Sequence, residues 1–330
     1  MGLHQHNDTG AKPDNLVSHT GQTRDGHPLA FNHAPAEDLR PWFTWFSATD
    51  ATLPDGAELQ GSMLNDLPCL RIMFGGKSRA ETRDGTVPLE PGIDGGAYYF
   101  GPHSRAMQIT MSGTIKVITV QLGPGAATAM GGPAQPDMID RIVEHSKLVG
   151  HGELARRFCP DDTPDKWLAA LERELRKFLG KFGARSPDPI TQAFEMATLR
   201  DPTMTLLAFA EDQRVTPRTV ERIIKRDYGL PPKQVLRRAR ALDLAAALMG
   251  VAMEDEEAEL RLRYFDQSHQ IRELRHFFGM TPRQFKQAPH SLLRLNLEVR
   301  QARRIEALDL LPQGAIQPWR DPSAEPNGAA

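Results

Sequence analysis

The sequence predicts an α+β protein, with a β-rich domain first and an all-helical domain after it, and three observations point there. Between Phe31 and about Gly132, short runs rich in Ile, Val, Thr and aromatic residues alternate with Gly and Pro punctuation. From Asp137 onward, apolar residues recur at three- and four-residue spacing instead. The last third carries a repeat offset by fifty residues, whose halves both read as helix, Gly, then Pro opening a new helix.

Taken in order, residues 1–30 are polar and rich in Gly, His, Asp and Asn, which predicts a disordered tail. Residues 31–135 form the β-rich domain. CLRIMF, AYYF, AMQITM and IKVITVQL read as its strands and suggest a small barrel or sandwich. Residues 136–189 form a helical connector and linker. DMIDRIVEHSKLVG and DKWLAALERELRKFLGKFG carry helical spacing, Pro164 opens the second, and GARSPDP at 183–189 reads as the linker. Residues 190–290 are helical, and 291–330 read as a last helix followed by a second disordered tail.

Composition narrows the function classes. With 330 residues, 40% hydrophobic and 25% charged, the chain can bury a sizeable core in about two domains. The net charge of -2 singles out no partner, so local charge must decide. Cys69 and Cys159 stand far apart in no paired motif, which excludes a zinc module or a disulfide framework. No apolar run approaches a membrane span, and MGLHQHNDTGAKPDN lacks a signal-peptide core, so a soluble intracellular protein is expected.

The repeat aligns ERIIKRDYGLPPKQV (221–235) with IRELRHFFGMTPRQF (271–285). In the first copy, a short helix, a turn at Gln213–Val215 and a second helix follow one another. Thr216 suits its N-cap and Pro217 its first turn. Val220, Ile223 and Ile224 then share one face and are expected to pack on Leu207 and Ala210. Arg218, Arg222 and Lys225 fall on the opposite face at i, i+4 and i+7, the layout of a recognition helix facing a polyanion. Between Thr216 and Arg240 the basic residues Arg218, Arg222, Lys225, Arg226, Lys233, Arg237, Arg238 and Arg240 face only Glu221 and Asp227. A basic run is usually just a solvated face. The duplicated helix-turn-helix pattern favours nucleic acid.

RVTPRTVERIIKRDYGLPPKQVLRRARALDLAAALM resembles the first half of an arabinose-regulator-type (AraC-type) DNA-binding domain, and FDQSHQIRELRHFFGMTPRQF resembles its second half. The resemblance covers about residues 200–287. It implies a bacterial transcriptional regulator with two helix-turn-helix units, at about 206–227 and 256–278, joined by a long helix from Pro232 to Met249. It implies base contacts by Arg218, Glu221 and Arg222 in the first unit and by Gln267, Ser268 and Arg272 in the second. Thr216, Thr219, Lys225, Arg226, Lys233, Arg237, Arg238, His269, Arg275 and His276 complete the implied DNA-binding set.

The second copy departs from the family pattern. Arg263 stands where the family has Gly, Glu259 where it has a small residue, and Gln270 where the first copy has Val220. Five acids precede it in MEDEEAE. The first unit is therefore expected to carry most of the specificity. LPDGAEL, YFGPHS and LGPGAATAMGG resemble, in order, a cupin-like domain that precedes such DNA-binding domains. That likeness implies an N-terminal domain controlled by a small-molecule effector or by homodimerisation. Duplex DNA is the implied partner, RNA polymerase a further one for an activator, with no membrane, no cofactor and the cytoplasmic nucleoid as the location.

Other chemistry is thinly supported. His4 and His6 pair only in the N-terminal tail, and His103, His145 and His151 are isolated. No nucleophile elbow or phosphate loop is visible, so no enzyme is expected. Trp42, Phe43, Trp45 and Phe46 suit a core or domain junction better than a ligand pocket. The competing reading is a small-molecule-binding or enzymatic cupin-like protein with vestigial DNA binding. Asp266, His269 and His276 read as parts of the second recognition helix rather than as a catalytic set.

Overall fold

The computed structural model describes residues 16–23, 25–149, 154–183, 185–253, 267–312, 315–320 and 323. Among the described residues, eleven strands build the N-terminal domain: β1 (Val17–Ser18), β2 (Phe31–His33), β3 (Phe43–Thr52), β4 (Glu58–Met63), β5 (Cys69–Phe74), β6 (Lys77–Thr82), β7 (Gly85–Leu89), β8 (Gly96–Phe100), β9 (Met107–Ser112), β10 (Thr114–Leu122) and β11 (Ile142–Glu144). They pair antiparallel in two sheets, one ordered β1-β3-β10-β5-β8-β11 with β2 on β3, the other β4-β9-β6-β7.

The larger sheet is buried on both faces, which explains the near-continuous apolar runs of its central strands. In β5, Cys69 and Met73 point to the smaller sheet, together with Ile115 and Val117 of β10. Leu70, Ile72 and Phe74, with Ile118, Val120 and Leu122, point the other way. A long helix, α4 (Pro164–Phe182), covers that second face with Trp167, Leu168 and Leu171. Trp167 is fully buried, its ring stacked 6.1 Å from Phe74 and its indole N–H bonded to the Cys159 carbonyl at 2.7 Å. The result is a sandwich with a helical third layer. Burial of a large apolar side chain there stabilises by roughly 1.5–3 kcal/mol.

Three small helices, α1 (Ala126–Ala129), α2 (Gln135–Met138) and α3 (His145–Val149), precede α4. Beyond α4 come α5 (Pro189–Arg200), α6 (Leu206–Asp212), α7 (Pro217–Tyr228) and α8 (Pro232–Leu248), then α9 (Gln267–Phe278), α10 (Pro282–Gln287) and α11 (Ser291–Leu308). The repeat is realised in the backbone. α7 and α9 are each 12 residues long, each is followed by a glycine at positive φ (Gly229 and Gly279), and each precedes a helix opened by Pro232 or Pro282.

Several expectations require correction. The tail assigned to 1–30 is ordered from Leu16: β1 pairs with β3, and Leu29 and Ala30 are buried, while residues 1–15 lie outside the described set. The C-terminal tail is likewise partly packed. Trp319 joins the core of the second helical unit, and Arg320 donates to the Ala30 carbonyl. DMIDRIVEHSKLVG is not one helix, because Asp140 adopts φ 56° and the β-branched Ile142 and Val143 pair with β8. Leu207 is 58% exposed, and Phe209 supplies the packing assigned to it.

Candidate nucleic-acid interface

The first unit is organised around α7. Thr216 caps it, its hydroxyl accepting from the Thr219 amide at 3.2 Å, and Pro217 opens the first turn. The turn before it places Arg214 at φ 54°, the left-handed region. Val220, Ile223 and Ile224 are buried against Phe194 of α5, Phe209 and Ala210 of α6, and Val235 and Leu236 of α8. Phe194 meets Phe209 at 5.2 Å and Tyr228 at 5.8 Å, both edge-on. With its apolar face committed, α7 turns Arg218, Glu221, Arg222 and Lys225 to solvent, and Thr219 lies partly exposed beside its cap.

The second unit places α9 in the corresponding position. Leu274, Phe277 and Phe278 are buried, while Arg272, Arg275 and His276 are exposed on one face at i, i+3 and i+4. Gln267, Ser268 and His269 stand in the first turn of α9, but their side chains lie outside the described residues. Arg263, Glu259 and Asp266 also lie outside them.

Three of the expected phosphate contacts are differently employed. Arg238 is 1% exposed, and its guanidinium donates to the His103 and Asp66 carbonyls of the β domain at 2.7 and 2.5 Å. It lies on the face of α8 turned into the protein, so this member of the basic run, expected on phosphate, is buried instead. Arg226 reaches back to Asp227 at 2.7 Å and Asp188 at 3.1 Å. Those two carboxylates, with the bonds to Asp227 the larger influence, hold its charge more firmly than usual. Arg237 pairs with the buried Glu273 of α9 at 3.0 Å and ties the two units together. Lys233, at the start of α8, is exposed as expected.

The sequence reasoning missed Arg283 and Lys286 on α10, both exposed. The repeat itself held the signal for Arg283, which aligns with Lys233 fifty residues earlier. It also missed that the glycine-bearing motifs of the β domain serve the junction with the helical domain. A side chain at Gly125 would meet the Asp227 carboxylate at 2.9 Å, and Gly229 lies against the Gln135 carbonyl so closely that an added Cβ would sit 2.7 Å from it. Trp42, expected in a core or junction, donates from its indole to the Arg185 carbonyl at 2.7 Å.

His103 is fully buried beside Arg238's contact, and burial pushes its imidazole down to about 4. Among the described residues no group of three or more His, Cys, Asp or Glu side chains converges as a metal site would. Among them, too, no helix is long and apolar enough to cross a membrane.

A family model described as a helix-turn-helix domain matches residues 209–288, from Phe209 in α6 to Ala288 just beyond α10. This chain carries an AraC-type helix-turn-helix domain. The match spans both units and the helix between them.

Among solved structures, the chain is similar in outline to ToxT from Vibrio cholerae, at 7% identity over 73% of this chain and 97% of that one, with a TM-score of 0.43. It is also similar to the C-terminal domain of AraT, a response regulator from Geobacillus stearothermophilus, at 23% identity over 31% of this chain and 88% of that one, TM-score 0.27. A cupin domain from Bordetella pertussis aligns at 14% identity over 29% of this chain and 95% of that one, TM-score 0.20. No curated protein matches the chain.

Proposed function

We propose that this protein is a sequence-specific transcriptional regulator that reads two successive major grooves of duplex DNA with α7 and α9. One observation carries the reading: a capped helix within a helix-turn-helix domain buries Val220, Ile223 and Ile224 and presents Arg218, Glu221, Arg222 and Lys225 on its outer face.

Arg218, Glu221 and Arg222 are assigned to base edges, with Thr216 and Thr219 near the entering end of the helix, where hydroxyls meet phosphates. Lys225, Lys233 and Arg283 are assigned to the phosphate backbone, whose neutralisation supplies the salt-dependent part of affinity. In the second unit Gln267, Ser268, His269, Arg272, Arg275 and His276 are assigned to the groove edge, with weaker base reading. Arg226, Arg237 and Arg238 leave this set, because their guanidiniums are engaged within the protein.

The β domain is the natural place for control by an effector or by homodimerisation, with RNA polymerase as a partner if the protein activates. A bacterial DNA-binding regulator of this kind works in the cytoplasm at the nucleoid, and this reading assigns it no enzymatic step. Selection of bound duplexes from a random pool tests the proposal. Two half-sites about 10 base pairs apart centre to centre are expected. Retention without enrichment of any sequence would overturn it.

A further inference from the structure

The helix that joins the two units, α8, would on its own leave their relative placement to a single rod. Beside α8 and the Arg237–Glu273 pair, the structure adds a connection from an unexpected source. The loop 64–68 between β4 and β5 reads Leu-Asn-Asp-Leu-Pro, and Leu64 and Leu67 are both 1% exposed. They do not pack together. Leu64 enters the core of the second unit, beside Leu274, Phe277 and Leu297. Leu67 enters the core of the first unit, beside Phe194, Phe209 and Ile224. One tight loop thus plugs both units, three residues apart.

Between the plugs sits Asp66. Its carboxylate accepts from Arg303 of α11 at 2.7 Å and lies 3.3 Å from Arg300 of α11, while its carbonyl accepts from Arg238 of α8. Arg303 also faces Glu195 of α5 at 3.3 Å, and Arg300 pairs with Asp243 of α8. Burial alone would raise the Asp66 carboxyl, but the guanidiniums of Arg303, Arg300 and Arg238 outweigh it and hold it at about 2. Asn296 of α11 closes the arrangement, accepting from the Leu64 amide at 3.2 Å and donating to the Asn65 side chain at 3.0 Å. The loop is itself anchored in the β sandwich by the strands on both sides of it.

We infer that the loop 64–67, with Asp66 as its positioning residue, sets the spacing and angle between the two DNA-reading helices, so that the β domain is part of the ruler that measures half-site separation. The inference rests on the DNA-reading assignment above. Leu64, Asp66 and Leu67 touch no DNA in it. A loop that merely stabilised the protein would lower affinity at every spacing alike. A loop that positions the units instead controls how sharply one spacing is preferred.

The test uses the full chain and synthetic duplexes carrying its selected half-sites at about 8 to 13 base pairs centre to centre. The unsubstituted protein is expected to prefer one spacing by about ten-fold over its neighbours, the size of a single recognition error. Asp66→Asn, Leu64→Ala and Leu67→Ala are expected to flatten that preference to about two-fold while an isolated first half-site is still bound. The volume-conserving Leu64→Met is expected to keep it.

Cooperative thermal unfolding identifies which variants fold. If Asp66→Asn does not, the two alanine variants and the methionine control decide. Folded variants with undiminished spacing preference, or with equal loss at every spacing, would overturn the inference. Failure of the unsubstituted protein to select any paired half-sites would instead overturn the reading on which it rests.

Discussion

The two helix-turn-helix units share a backbone plan and differ in what holds them. The first draws most of its core from adjacent helices: α5, α6, α7 and α8 supply Phe194, Phe209, Val220, Ile224 and Val235, joined by Leu67 from the loop after β4 and Ile139 from just beyond α2. The second is assembled from distant pieces of chain. Its Leu274, Phe277 and Phe285 pack against α8, α11, Leu64 and Trp319. Its recognition helix is also fastened at its C-terminal end, where the Ala106 amide donates to the Phe277 carbonyl at 2.7 Å. Even the glycines differ, since Gly229 is pressed on the Gln135 carbonyl while, among the described residues, none lies within 4 Å of a Cβ added at Gly279. A repeat in sequence therefore need not be a repeat in support. One copy is closed mainly by helices adjacent in sequence, and the other draws also on α11 and Trp319 from far along the chain.

The largest expected effect breaks the comparison at its cores. Phe194→Ala and Phe285→Ala each remove a fully buried ring and are each expected to cost about 3–5 kcal/mol by denaturant titration. Gel shifts should then separate them. Phe194→Ala abolishes binding to both half-sites, whereas Phe285→Ala leaves the first half-site bound. Equal loss in the two variants would remove the distinction between the units.

The next effect is pH. Glu298 of α11 lies beneath the second unit, bonded to Arg294 at 3.0 Å, and Arg294 donates to the Met249 carbonyl at the end of α8. Burial pushes its carboxyl up to about 7, against the pull of Arg294 and Arg320. The folded protein thus holds a proton that the unfolded chain releases near the ordinary 4.5. Stability is greatest below that value, falls as pH rises toward about 7, and levels off above it. The fall is on the order of 3 kcal/mol. Hydrogen exchange is expected to show it concentrated in α9 and α11. Glu298→Gln should flatten the slope, and an unchanged slope in that variant would exclude Glu298 as its source.

The smallest effect concerns base reading. Arg222→Ala is expected to cost about 1–3 kcal/mol at its cognate base and to relax preference there. Arg272→Ala, at the matching place in the second unit, is expected to cost under about 1 kcal/mol. Equal costs would give the two units equal authority over sequence.

Much of this architecture is legible in the sequence. The β-then-α order, the repeat, the Thr216 cap and the two faces of α7 all follow from local periodicity and capping chemistry, which act over a few residues. What was hidden depends on partners far away in the chain. Arg238, inside a basic run, finds carbonyl partners 135 and 172 residues away, and no local pattern separates a buried arginine from a solvated one. Leu207 met the helical spacing and still faces outward, because α6 turns Phe209 and Ala210 to the core instead. Trp319, in a segment of Pro, Gly and Ala composition, gains its place only from a core formed elsewhere. At the proposed interface, the exposed face of α7 was legible, but the burial of Arg238 and the ion pairs of Arg226 and Arg237 were not.

The late position of α11 and Trp319 has a consequence during synthesis. A chain emerging from the ribosome completes the first unit well before Ser291 appears, yet Leu293, Leu297 and Trp319, which close the second unit's core, come last. A truncated chain would therefore display one DNA-reading helix without its companion in place. On the proposed reading, paired half-sites would be filled only by chains in which α11 has already been made.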